Sequence, residues 1–186
     1  MTLHRAVRHA YNNAIPIVAP AGNFDALASS RVPCKFSEVV CVGSINLDYA
    51  MEPISGYGAA VNILAPGTDV LVLDIADEDD YKEITGTSAA CAIVAGDIAA
   101  KISWEALKLP QSRGMAWNLL LMNAHLSAVR PESLRAGTPN ILLNTGIQHP
   151  DKWSEQPYRY ANSESPPSRG GRTMTGASAA SVQRRR

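Results

Sequence analysis

The feature that most restricts the fold is an alternation between helical and strand-like apolar spacing. Residues 3–14 place Leu3, Ala6, Val7, Ala10 and Ala14 at helical intervals, and 15–19 (IPIVA) then reads as a short buried strand. Apolar runs recur at 39–45, 61–64 and 70–75, separated by the turn-forming clusters SGYG and APG. These are expected to be strands of a buried sheet. From Ser88 the stretch SAACAIVAGDIAAKI is rich in small, helix-compatible residues, and 114–125 (GMAWNLLLMNAH) carries a second amphipathic pattern. Helices interleaved with strands predict an α/β layered fold with a mostly parallel sheet.

Composition sets the outer limits. An apolar content of 46% against 18% charged residues, over 186 residues, is that of a globular chain with one core. Beyond residue 151 the character shifts to Pro, Ser, Gly and Arg, which predicts a domain-sized unit over 1–150 and a disordered tail over 151–186. Seventeen basic and 17 acidic side chains give no net charge to steer the chain to nucleic acid. The arginine clusters at 169–172 and 184–186 lack aromatic platforms and read as a solubilising end, so no nucleic-acid partner is expected. No run approaches the roughly 18 apolar residues of a membrane helix, and the opening residues show no signal peptide. No membrane partner is expected, and the compartment stays open. The three cysteines, Cys34, Cys41 and Cys91, fit neither a zinc site nor a redox pair.

Two local patterns carry chemistry. Gly86-Thr87-Ser88-Ala89-Ala90 places a serine at the mouth of a helix, where backbone N–H donors and a positive field favour an anion. The same residues also make an ordinary N-cap. Upstream, Val18-Ala19-Pro20-Ala21-Gly22-Asn23 sets a carboxamide just beyond a buried strand, able to aim an N–H at a developing oxyanion or simply to form a turn.

The ordered series AGN, VGS, SGYG, APGTDVL, GTSAA with VAG, and TPNILL resembles the succession of motifs in subtilisin-like serine peptidases of the proteinase K type. The resemblance covers residues 3 to 146 and corresponds to the C-terminal half of that domain, implying a partial subtilisin-like fold. It implies acyl transfer on a peptide or protein substrate, with Ser88 as nucleophile, Asn23 as oxyanion-hole amide, and Ala19, Pro20, Ala21 and Gly22 as a wall of the substrate pocket. It also implies an Asp and a His that precede the serine, each with glycine-containing neighbours. Neither signature is present. His4 and His9 fall on the first helix, His125 and His149 follow Ser88, and the aspartates before Ser88 lie in turns or in the acidic run DEDD. The chain alone is therefore expected to be inactive, and a separate N-terminal half is a possible partner. The alternative is a non-catalytic peptide- or protein-binding module.

The resemblance has departures. Ala89, Ala92 and Ile93 stand where the family usually has Met, Pro and His, and Asp97 falls at an apolar helix position without an evident partner. Asn62 replaces an aspartate that helps hold calcium in proteinase K-like members, which argues against calcium, and no other cofactor is implied. Cys41 matches a position that is disulfide-bonded in some relatives; no cysteine stands in the later helix to receive it, so Cys41 is expected to be a buried free thiol. Relatives are commonly secreted.

Overall fold

The structure is a computed structural model that describes residues 2–74, 81–105 and 114–146. Helix α1 spans Leu3–Asn12 and leads into strand β1, Val18–Pro20. Strands β2 (Val40–Ile45) and β3 (Ile63–Pro66) follow, then β4 (Val70–Leu73), β5 (Tyr81–Ile84) and helix α2 (Thr87–Glu105). Helix α3 (Met115–Leu121) and strands β6 (His125–Leu126) and β7 (Ile141–Leu142) complete the described part.

The main sheet has the order β1-β2-β3-β7-β6. The first four strands in that order run parallel and β6 lies antiparallel at the edge, so the expected α/β fold with a mostly parallel sheet is present. Every residue of β2 is buried, as a central strand covered on both faces must be. Its alternation divides the core. Val40 and Val42 join Ile63 and Ala65 against Ala90, Val94 and Ile98 of α2 and Leu120 of α3. On the opposite face, Cys41 and Ile45 join Leu64, Val61, Val7, Ala28 and Met51. Ala90, Val94 and Ile98 recur every four residues, and this row of small and medium side chains lets α2 lie close on the sheet.

Three expectations about elements change. The run at 70–75 is not a strand of the buried sheet. Val70–Leu73 instead pairs antiparallel with Tyr81–Ile84 as a separate two-stranded ribbon, with Leu71 and Leu73 more than half exposed. Its partner sequence, YKEI, is too polar to bring that ribbon into a core. Residue 75 lies outside the described residues. The helical pattern from 114 also stops at Leu121, and His125 begins β6 rather than ending a helix.

The third correction concerns Cys41, which is not a free thiol. It is bonded to Cys34, with Cα atoms 5.1 Å apart. The loop between β1 and β2 folds back on itself, through Lys35 N–H to Arg31 and Phe36 N–H to Pro33, and delivers Cys34 beside the strand. Cys91 remains free on α2, and burial pushes its thiol up from the ordinary value. The tail expected at 151–186 lies outside the described residues. Among the described residues no helix is long and apolar enough to cross a membrane.

Candidate active site

The two candidate motifs, 64 residues apart, meet where β1 ends and α2 begins. The side-chain oxygen of Asn23 accepts the backbone N–H of Thr87 at 2.8 Å and its hydroxyl at 2.9 Å. The Thr87 hydroxyl in turn accepts the backbone N–H of Gly22 at 3.1 Å. The start of α2 is thus capped by a side chain from another segment, satisfying one of the helix's orphan donors. Two donors on one atom identify that atom as the carboxamide oxygen. Asn23 therefore keeps its Nδ2 hydrogens for another acceptor.

Ser88 is the second residue of α2 and is exposed, whereas its neighbours Thr87, Ala89 and Ala90 are buried. Among the described residues neither its hydroxyl nor its backbone N–H has a hydrogen-bond partner. The N-cap reading of GTS does not hold, because Asn23 performs the capping and the Thr87 hydroxyl is turned inward. An exposed hydroxyl, a free first-turn N–H and an oriented carboxamide nearby form the elements of an anion-stabilising site.

Two glycines make this arrangement possible. A Cβ on Gly86, whose φ is +150°, would lie 2.6 Å from Asn23 Nδ2. A Cβ on Gly67 would meet Ser44 Cβ at 2.6 Å and the carbonyl oxygen of Gly86 at 2.8 Å, yet Gly86 N–H donates to Gly67 O at 2.6 Å. The glycines of GTS and APG thus let three backbone segments converge beside Asn23.

The four candidate wall residues run along β1 and just past it. Ala19 and Ala21 are buried, Pro20 is exposed and Gly22 is half-buried. Ala21 N–H donates to Val42 O at 2.8 Å, and Gly22 O accepts Gly56 N–H at 2.7 Å. The SGYG segment therefore buttresses the wall. TPN supports SGYG in turn: Thr138 Oγ1 accepts Gly58 N–H at 2.9 Å, while Asn140 exchanges hydrogen bonds with both backbone groups of Val129.

No described histidine bonds to Ser88. His4 contacts Glu38 and stacks on Phe36, and His125 meets Asn144 at 2.9 Å. His149 lies outside the described residues. Asp25 is paired with Arg135, and Asp69 accepts the Thr85 hydroxyl. Asp97 was expected to lack a partner, but Lys101, one turn later on the same face, meets it at 2.8 Å. The pair follows the i,i+4 spacing of a helix face, which the sequence carries.

The side chain of Asn62, at the position raised for calcium, is engaged in the fold. Its side-chain oxygen already accepts Cys41 N–H at 2.7 Å, and the carboxylate lining the same cavity, Glu38, is engaged by His4 and Arg8. Among the described residues no three His, Cys, Asp or Glu side chains gather as a metal set.

Comparison with known proteins adds the family. The subtilase family profile matches residues 2–136. The chain belongs to the subtilase family. Among curated subtilase relatives, an alkaline proteinase of Hapsidospora chrysogena is 32% identical over 143 residues, covering 77% of this chain and 34% of the relative. Alkaline protease 1 of Aspergillus flavus is 30% identical over 141 residues, covering 76% and 34% respectively. The crystal structure of a cold-adapted subtilisin-like serine proteinase aligns with a TM-score of 0.69 at 28% identity, over 78% of this chain and 50% of that one. A prenylagaramide maturation protease aligns at 0.63 and 26%, over 77% and 52%. This subtilase chain thus spans about a third of those curated relatives and half of those solved structures.

Proposed function

We propose that this chain carries the nucleophile and oxyanion hole of a serine endopeptidase acting on peptides or proteins, without the acid–base pair. Ser88 would attack a peptide carbonyl, and Asn23 Nδ2 together with Ser88 N–H would hold the oxyanion. Ala19, Pro20, Ala21 and Gly22 would line the substrate. The observation that carries this reading is the double acceptance by Asn23 Oδ1 from Thr87, which fixes the carboxamide beside Ser88. A preorganised donor of this kind removes about 2.7–4 kcal/mol from an acyl-transfer barrier, the magnitude established for the oxyanion-hole amide of a subtilisin. Without a histidine to take the proton, Ser88 would remain a weak nucleophile and hydrolysis by this chain alone would be slight.

Labelling of the folded chain with a fluorophosphonate, beside Ser88→Ala, tests the reading. Absence of labelling in a chain that melts cooperatively is the expected result. Ser88-dependent labelling would reveal an activating base among these residues and refute the incomplete site.

One observation favours a second reading, a binding module. Strand β1 ends the sheet, and among the described residues no strand pairs with its outer side. An added strand there would gain backbone hydrogen bonds. Mixing the chain with a separately produced N-terminal subtilase half distinguishes the two: recovered peptidase activity supports complementation, whereas peptide binding without cleavage supports the module.

A further inference from the structure

Beside the wall lies a cation that pairs with no carboxylate among the described residues. Arg31 follows the short helical turn Ala28–Ser30, and its N–H donates to Ala28 O at 3.0 Å, turning the chain back toward residue 22. Its Cγ comes 4.0 Å from the position a Cβ on Gly22 would take, and its guanidinium carbon lies 4.6 Å from the centre of the Phe24 ring. The aliphatic stem thus rests against the wall while the charged head is held over the residue that follows Asn23. Arg31 is exposed, and among the described residues no carboxylate pairs with it. The acid nearest in the loop, Asp25, is taken by Arg135 at 2.8 Å.

The surroundings suit a ligand group of opposite sign. Phe24 is 71% exposed, so the guanidinium lies over an open aromatic face. Stacking on an aromatic face orients the planar head without using its in-plane N–H donors, which fit a carboxylate in bidentate fashion. A lysine or arginine side chain at the same place would be repelled.

We propose that Arg31 determines specificity, and that the site takes peptides with Asp or Glu at the residue lying against Gly22. This rests on the reading of Ala19–Gly22 as a substrate wall and of Asn23 and Ser88 as the reacting end, and it names the substrate class.

The test titrates the full chain with three peptide aldehydes, Ala-Ala-Pro-Asp, Ala-Ala-Pro-Leu and Ala-Ala-Pro-Lys. Backbone NMR signals of Gly22 and Asn23 are followed in wild type, Arg31→Gln, Arg31→Glu and Ser88→Ala. In wild type the Asp aldehyde should bind about fivefold more tightly than the Lys aldehyde, as a partly screened ion pair allows. The preference should vanish in Arg31→Gln, reverse in Arg31→Glu and shrink with added salt. Arg31 is at the surface, so its variants should fold. Equal binding of all three aldehydes, shifting Gly22 and Asn23 and weakened in Ser88→Ala, would overturn the role of Arg31 and leave the site reading standing. No shift at those residues with any aldehyde would overturn the site reading and this inference with it.

Discussion

The carboxamide oxygen of Asn23 is held at once by the backbone N–H and the hydroxyl of Thr87, so the end of β1 and the start of α2 share one hydrogen-bonded node. Thr87 is 1% exposed and its hydroxyl also serves Gly22 N–H. Thr87→Val keeps the branched shape but removes that hydroxyl. It leaves the half-buried Gly22 N–H without its acceptor, a loss of about 1–3 kcal/mol that urea unfolding should register. No change in the midpoint would mean that the node contributes nothing to stability.

Gly86 is the companion to that node. Its φ of +150° is unfavourable for any residue with a side chain, and a Cβ would press on Asn23 Nδ2. Gly86→Ala should cost about 1–3 kcal/mol in backbone strain. It should also shift the side-chain NH2 resonance of Asn23, because that group must move. An unshifted resonance would mean the carboxamide is not lodged against this glycine.

Asp97 and Lys101 are largely removed from water, with side chains 4% and 13% exposed. Removing one partner from such a pair is worse than removing both, since it strands a charge. Lys101→Met alone should therefore destabilise the chain by about 3 kcal/mol, while Asp97→Leu combined with Lys101→Met should return close to wild type. Denaturant midpoints of the two variants give the comparison. Equal losses would show that an Asp97 left without its lysine carries no penalty of its own.

What the sequence disclosed follows the range of the interactions involved. AGN and GTSAA were legible because each is a short pattern of residue types, and the elements they sit on repeat with helical or strand spacing. Their meeting through Thr87 was not, since a bond across 64 residues leaves no local trace. The stretch VLVL looked like core because periodicity reports apolarity and not partners. Its exposure is set by YKEI across the ribbon. Cys34 could not be matched with Cys41 before the loop's fold was known. The spacing alone extends the helix from Met115 too far because NAH continues it, although the chain turns at Met122 and pairs His125 with Leu142.

The Cys34–Cys41 bond gives a thiol count that can be checked directly. The native chain should present one thiol, Cys91, to a thiol reagent under denaturing conditions, and three after reduction. Closing so short a loop limits the entropic gain, so Cys34→Ala with Cys41→Ala should lower stability by about 2–3 kcal/mol. Three thiols in the unreduced chain would show that the bond does not form.

Glu38 supplies a pH dependence. Burial alone would raise its pKa, but its own backbone N–H, the hydrogen bond from His4 and the charges of His4 and Arg8 outweigh this and hold it below 4.5. A carboxylate with a lowered folded pKa contributes stability above its unfolded value, and loses it as the pH falls through the folded one. Glu38→Gln should therefore be less stable than wild type at pH 5.5, and the gap should close as the pH is taken well below 4.5. Urea midpoints of both proteins across that range provide the measurement. A gap that stayed constant with pH would mean that the glutamine differs through packing and that the charge of Glu38 adds no stability.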